Sequence, residues 1–259
     1  MSSKQGDFIW YELMTRDADA SQAFYSGLLG WQFADSGMPG IDYRIGSMGD
    51  VPIIGLVNLT EDMLASGAHP LWTGYIGVDD IDATLSQTDK AGGAILMEPQ
   101  EVPEVGRFAL VCDPQGVPFY VMKPTGDTSH SYAKYQPTEG YCAWNELLTT
   151  DPAAARQFYC ELFGWQKAEE MDMGEMGLYE MLRQDDYLVG AIMQKPKEAP
   201  APLWIYYFRV PNIDTATQYT IDQGGKVLHG PMEIPGGEFI TQGLDPQGAL
   251  FAIIGKRDT

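Results

Sequence analysis

The sequence contains one long internal repeat. The segment Trp10–Asp17 returns as Trp144–Asp151, at a constant offset of 134 residues. Later in each copy, an Asp-Pro-Gln-Gly run that begins at Asp113 recurs at Asp245, at an offset of 132. Solenoid units are only about 20–50 residues long, so a repeat of this length indicates a duplicated domain. Each candidate site residue can therefore be compared with a counterpart in the other half of the chain.

The length of 259 residues fits two domains of ordinary size. Between the copies, residues 124–139 are rich in Ser, Thr, Pro and Gly, a composition typical of a linker. We therefore predict one domain over residues 1–123, a linker over residues 124–139 and a second domain over residues 140–259.

Charge and hydropathy exclude several classes of partner. The formal net charge is −20 and the pI is about 4.3, which argues against nucleic acid and against anionic membranes, because both require a basic surface. No apolar run approaches the ~20 residues that span a bilayer, and residues 1–7 lack the apolar core of a signal peptide. We expect a cytoplasmic protein whose three cysteines remain reduced.

The secondary-structure signals follow one order four times. Residues 8–14 alternate as a strand does, Asp17 or Asp19 caps a helix, and that helix ends near Gly30. Three further strands follow before the order restarts at Trp72. The second half repeats both cycles, so the chain is predicted to contain four βαβββ units.

The motifs resemble those of a known superfamily. A strand, then Asp17, a helix with Phe24-Tyr25, the run Leu29-Gly30-Trp31 and the turn at Asp113 are similar to the vicinal oxygen chelate superfamily. That superfamily includes glyoxalase I, extradiol dioxygenases and bleomycin-resistance proteins, and the duplicated form most resembles its tandem-domain, glyoxalase-like bacterial subgroup. The resemblance implies an α+β fold of two tandem glyoxalase-like domains, each with two βαβββ modules that form a cupped mixed sheet.

The resemblance also indicates where a metal would bind. In metal-using members, His, Gln or Glu ligands project into the cup from the first, fifth and eighth strands. Mapped by motif, these positions are Trp10, Thr73 and Tyr120 in the first half, and Trp144, Ile205 and Ala252 in the second. A divalent ion needs His nitrogens or carboxylate oxygens, and none of the six residues supplies them. We therefore expect no metal and no other cofactor.

The same register predicts what lines each cup instead. The first cup would contain Trp10, Glu12, Thr73, Tyr75 and Tyr120. The second cup would contain Trp144, Glu146, Tyr207 and Arg209. Aromatic walls with a few polar groups are typical of a small-molecule site.

The two carboxylates have two interpretations. Glu12 or Glu146 could act as a general base or bind a ligand through a hydrogen bond. Alternatively, each supports the sheet and pairs with a neighbour, because an unpaired buried carboxylate is costly; for Glu12 the neighbour could be Arg44, Arg16 or a tyrosine. Arg209 could bind a ligand carboxylate or form an ion pair with Glu146.

Three functions remain open at this point. The leading one is metal-free binding of a small, partly aromatic molecule, as resistance proteins of this fold sequester their ligands. The second is a metal-independent lyase, isomerase or hydroxylase-like enzyme that uses Glu12 or Glu146. The third, a metal-dependent lactoylglutathione lyase or dioxygenase, would need displaced ligands. In each case we expect a monomer that resembles a fused dimer, or a homodimer.

Overall fold

The computed structural model describes residues 4–126 and 129–257. Its first half contains β1 (Phe8–Thr15), α1 (Ala18–Leu29), β2 (Gln32–Asp35), β3 (Tyr43–Met48), β4 (Val51–Asn58), α2 (Glu61–Ala65), β5 (Leu71–Gly77), α3 (Ile81–Lys90), β6 (Ala94–Val102), β7 (Gly106–Cys112) and β8 (Pro118–Pro124). Its second half contains β9 (Cys142–Thr149), α4 (Pro152–Phe163), β10 (Gln166–Asp172), β11 (Leu178–Gln184), β12 (Tyr187–Gln194), β13 (Leu203–Asn212), α5 (Ile213–Asp222), β14 (Lys226–Ile234), β15 (Glu238–Leu244) and β16 (Leu250–Lys256).

The strands form two eight-stranded mixed sheets of identical topology. Their orders are β2-β3-β4-β1-β5-β8-β7-β6 and β10-β11-β12-β9-β13-β16-β15-β14. The predicted α+β class and the four βαβββ modules are confirmed. No helix in the described ranges is long and apolar enough to cross a membrane.

Helices α1 and α4 begin and end where the sequence signals place them. The side chain of Asp17 accepts a hydrogen bond from the backbone N–H of Ala20 (2.9 Å), which caps α1. Gly30 ends the same helix in the left-handed conformation, with φ of 77°. Asp151 and Gly164 repeat both features on α4.

Helix α2 was not predicted. It has five residues, none of them buried, and the Thr60 hydroxyl caps it by accepting from the Met63 N–H. A helix of little more than one turn cannot display the 3.6-residue apolar period on which a sequence-based prediction depends. The second half has no helix between β12 and β13.

The chain divides into two compact units, and each unit takes strands from both halves of the sequence. Unit 1 contains residues 1–9, 73–129 and 145–204. Unit 2 contains residues 10–72, 130–144 and 205–259. These units differ from the halves that the repeat defines, and the predicted domain boundaries remain a prediction.

A buried hydrogen-bonded trio lies in the core of unit 2. Trp72 Nε1 donates to the Tyr25 hydroxyl (2.9 Å), which donates to Asp245 Oδ2 (3.0 Å). The other oxygen of Asp245 accepts from the backbone N–H groups of Gln247 and Ala249, at 2.9 Å each. Burial raises the pKa of Asp245, and the hydrogen bonds that it accepts only partly oppose that effect. Through Tyr25, the Asp of the turn that precedes the last strand is thus hydrogen-bonded to the first helix of the first half.

Unit 1 contains the same trio built from the other copies. Trp204 Nε1 donates to the Tyr159 hydroxyl (3.0 Å), which donates to Asp113 Oδ2 (3.2 Å). Here the tryptophan and the tyrosine come from the second half and the aspartate from the first. Each trio therefore combines residues from both halves of the sequence.

Candidate functional site

In the first module of the first half, two half-buried aromatic rings meet above a glycine. Trp10 on β1 donates its indole N–H to the Tyr43 hydroxyl on β3, at 3.1 Å. Gly55 on β4 lies directly beneath, because a Cβ built there would fall 2.1 Å from the Tyr43 hydroxyl oxygen. Glu12 is only 6% exposed and pairs with Gly55 in the strand register. The module therefore presents an aromatic pair beside a buried carboxylate.

In the corresponding module of the second half, the tyrosine contacts the glutamate of the first strand. Tyr179 on β11, the counterpart of Tyr43, donates its hydroxyl to Glu146 Oε2 at 2.9 Å. Ala191 on β12 stands where the first half has Gly55, and it pairs with Glu146. Glu146 is 7% exposed. Charge-assisted hydrogen bonds to a carboxylate are stronger than neutral ones, so Tyr179 fixes the orientation of Glu146.

In the second module of the first half, three aromatic rings pack against one another. Tyr75 on β5 and Tyr120 on β8 are paired in register, and their rings stack with centroids 4.2 Å apart and planes 13° apart. Phe108 on β7 contacts both rings, with centroids 5.9 Å away. Thr73, on the same strand as Tyr75, is buried. This module brings together three of the predicted residues and adds one that was not predicted.

The equivalent surface of the second half is polar. Tyr207 on β13 pairs with Ala252 on β16, which lacks the ring that Tyr120 provides in the first half. Gln242 on β15 reaches across Ala252 and donates its side-chain N–H to the Tyr207 hydroxyl at 2.6 Å. A hydrogen bond therefore takes the place of the ring stack.

An ion pair lies further along the same strands of the second half. Both terminal nitrogens of Arg209 donate to the carboxylate of Glu238, with Nη2 to Oε2 at 3.0 Å. The Arg209 guanidinium lowers the pKa of Glu238 below its ordinary value, while partial burial acts in the opposite direction. The counterparts in the first half are Gly77 and Gly106, so this charged pair is specific to the second half.

One of the three partners suggested for Glu12, Arg44, is not supported. Arg44 pairs with Leu56 in the register, whereas Glu12 pairs with the neighbouring Gly55, so the two side chains point to opposite faces of the sheet. On its own face, the Arg44 guanidinium donates to Gln22 of α1 at 2.9 Å. The interpretation that pairs Glu12 with Arg44 is therefore wrong, because it puts the arginine on the wrong face.

The described residues do not fit the metal site of the superfamily. Trp10, at the first-strand position, carries an N–H that donates a hydrogen bond, and Tyr120, at the eighth-strand position, is stacked on another ring. The three histidines of the chain are all exposed. Over residues 4–126 and 129–257, no group of three or more His, Cys, Asp or Glu side chains could hold a metal ion.

Two open surface clefts lie away from these residues. One has a volume of about 450 Å³ and lies against β10, β11 and β12, from Lys167 to Leu188. The other has a volume of about 400 Å³ and lies at the N-terminus of α4, beside Met176. Neither cleft is lined by a predicted site residue.

The sequence analysis did not identify the residues that contact the predicted site residues from other strands. Tyr43, Tyr179, Gln242 and Glu238 all contact a predicted site residue from the next strand but one, across the strand between them. The period-two pattern of β3, β11 and β15 predicts which side of the sheet each of these side chains lies on. Only the strand register shows which site residue each one contacts. Trp144 was predicted and lies half-buried on β9.

Comparison with known proteins agrees with this architecture. The family model described as the Glyoxalase/Bleomycin resistance protein/Dioxygenase superfamily matches residues 8–121 and again residues 140–253. A protein of Mycobacterium bovis with the provisional name glyoxylase CFP32 is 30% identical over 97% of this chain and 95% of its own length. The anthracycline biosynthesis protein DnrV of Streptomyces peucetius is 28% identical over 96% of this chain and 93% of its own length.

Solved structures share the fold at low sequence identity. A Mn(II)-bound glyoxalase from Novosphingobium aromaticivorans superimposes with a TM-score of 0.67 at 15% identity, and the match covers 100% of this chain and 84% of that one. The 2,3-dioxygenase LapB from a Pseudomonas species gives a TM-score of 0.66 at 12% identity, with 98% and 94% covered. At such identities the likeness concerns the fold alone.

Proposed function

Since the chain belongs to the Glyoxalase/Bleomycin resistance protein/Dioxygenase superfamily, we propose that it binds a small, partly aromatic molecule without a metal ion. The observation that carries this proposal is the stack of Tyr120 on Tyr75. The resemblance gives Tyr120 the eighth-strand position, where metal-using members have a His, Gln or Glu ligand, and the stacked rings add apolar aromatic surface there.

The relatives support the proposed class of ligand. The name of the Streptomyces relative connects it with anthracycline biosynthesis. By analogy, we propose that the ligand of this chain is likewise an organic molecule with an aromatic part. The provisional glyoxylase name of the mycobacterial relative makes adducts of α-oxoaldehydes a second set of compounds to screen.

A thermal-shift screen tests this proposal. The protein, before and after treatment with EDTA, is heated with a panel of aromatic metabolites and α-oxoaldehyde adducts. A ligand that binds the folded state raises Tm, and metal-free binding predicts the same rise in both samples. Loss of the rise after EDTA, with recovery on addition of a divalent metal, would favour a metal-dependent lactoylglutathione lyase or dioxygenase instead.

A second candidate function is catalysis without a metal. The hydrogen bond from Tyr179 to Glu146 supports it, because an oriented, buried carboxylate is suited to proton transfer. Glu146, or Glu12 in the first half, would then serve a lyase, isomerase or hydroxylase-like reaction. Turnover of a ligand found in the screen, lost in Glu146→Gln or Glu12→Gln while binding persists, would establish an enzyme. An unchanged ligand after long incubation would leave binding as the function.

We further propose that the chain acts in the cytoplasm, without nucleic acid or membrane, as a monomer that resembles a fused dimer or as a homodimer. The negative charge supports the exclusion of anionic partners. Light scattering on the purified protein distinguishes the two assembly states.

A further inference from the structure

We propose that Gly55 is a specificity-determining residue, because it allows Tyr43 to lie against Trp10 and so selects flat, non-anionic aromatic ligands wider than one ring. This inference rests on the proposed function and assigns ligand selection to the first module of the first half.

The first step is steric. A Cβ on Gly55 would lie 2.1 Å from the Tyr43 hydroxyl oxygen, 2.7 Å from Tyr43 Cζ and 3.0 Å from Trp10 Nε1. Real Cβ atoms do not approach other heavy atoms as closely as the first two distances. Any side chain at position 55 would therefore displace the Tyr43 ring from its place beside Trp10.

The second step comes from the internal copy. The second half has Ala191 at the position of Gly55, and its tyrosine, Tyr179, donates to Glu146. In the first half, Tyr43 accepts from Trp10. The internal copy thus has an alanine at this position together with a tyrosine whose hydroxyl contacts the carboxylate of the first strand.

The third step concerns the rigidity of the pair. The Tyr43 ring packs against a buried apolar cluster of Met14, Val57 and Leu59. The partly buried Met63 and Leu64 of α2, a helix that the second half lacks, pack against the same cluster. Because packing holds the Tyr43 ring in place before a ligand arrives, less conformational entropy is lost on binding.

The ligand chemistry follows from what the pair presents. Trp10 and Tyr43 are both half-buried, and the hydrogen bond between them joins the edges of the rings. Two joined rings contact more of a fused-ring ligand than of a single ring, and aromatic rings favour flat partners. The net charge of −20 disfavours anionic ligands.

Calorimetric titration of the full chain tests the inference with three probes: phenol, naphthol and decahydronaphthol, the saturated, non-planar analogue of naphthol. For the wild type we expect tighter binding of naphthol than of either other probe. Gly55→Ala should weaken naphthol binding about tenfold and reduce its advantage over decahydronaphthol.

Two further variants separate selection from a general loss of stability. Tyr43→Leu keeps Gly55 but removes the ring, and it should reproduce the effect of Gly55→Ala even if that variant folds poorly. Gly46→Ala is the matched control, because its Cβ would clash with Ile54 at 2.6 Å on the opposite face of the same strands. It should lower Tm while preserving the preference for naphthol.

The outcomes distinguish the inference from the proposed function. If the wild type binds naphthol and Gly55→Ala and Tyr43→Leu keep the full preference, the assignment of selectivity to Gly55 is wrong and metal-free binding still stands. If the wild type binds none of the three probes, nor any compound of the wider screen, the proposed function itself fails. If Gly46→Ala loses the preference for naphthol to the same extent, the effect of Gly55→Ala comes from general strain in these strands. That result would also overturn the inference.

Discussion

The two halves of the chain keep the same scaffold but present different surfaces. The trio of Trp72, Tyr25 and Asp245 reappears with the same donors and acceptors in the other copies. By contrast, the first half stacks Tyr120 on Tyr75, whereas the second half has a hydrogen bond from Gln242 to Tyr207. The buried hydrogen bonds that join the halves have therefore been retained, while the residues predicted to line the cups have diverged.

This difference indicates where the two copies can have separate roles. A buried trio in which every polar group needs its partner tolerates little change, because an unsatisfied buried group is costly. By contrast, an aromatic or amide side chain that lines a cup can be replaced if the neighbouring side chains repack around the new one. We therefore treat the halves as one scaffold with two unlike recognition surfaces, of which the first is the more aromatic.

The largest effect is expected from exchanging residues between the halves. Tyr120→Ala removes a ring that is 8% exposed and leaves a cavity against Tyr75, which should cost about 3–5 kcal/mol. The reverse change, Ala252→Tyr, inserts a ring at a position with no exposure and should cost about 1–3 kcal/mol by overpacking. Urea denaturation measures both changes. An Ala252→Tyr variant as stable as the wild type would show that the second half has room for a ring, contrary to the contrast drawn between the halves.

The shared scaffold predicts two similar losses of stability. Tyr25→Phe and Tyr159→Phe each remove the central hydroxyl of a trio and leave a buried indole N–H and a carboxylate oxygen without that partner. Each should lower the free energy of unfolding by about 1–3 kcal/mol. Tyr135→Phe, at a position that is 53% exposed, is the control and should change it little. Markedly unequal losses at Tyr25 and Tyr159 would mean that the two trios are not equivalent.

The smallest effect concerns the ion pair of the second half. Because Arg209 lowers the pKa of Glu238, the pair stabilises the fold above the unfolded pKa of Glu, about 4.3, and this contribution is lost as the pH falls through the lower folded value. Glu238→Gln should therefore cost about 1 kcal/mol at neutral pH and progressively less on acidification. Denaturation curves at a series of pH values test this, and a difference that grows in acid would contradict it.

Much of the scaffold could be predicted from the sequence because its signals are local. The Asp17 cap, the Gly30 stop and the Asp-Pro-Gln-Gly turn at Asp245 each depend on neighbouring residues, and the structure confirms them. Each of these signals occurs in both copies of the repeat, which strengthens the predictions that depend on it.

The site was harder to predict because its contacts are not local. Gly55 and Ala191 are both ordinary strand residues in the sequence, and only the register shows that the tyrosine of an adjacent strand lies near each. Glu238 lies 29 residues from Arg209, and no spacing rule links the two. Residues that face a cup can be predicted from alternation, but their partners require the paired strands.

The most direct measurement for the central claim is a crystal structure of EDTA-treated protein with a bound aromatic ligand from the screen. The account predicts an aromatic ring of that ligand against Trp10 and Tyr43, with no metal ion at Trp10, Thr73 or Tyr120. A ligand held through a metal ion, or one bound only in the second half, would contradict it.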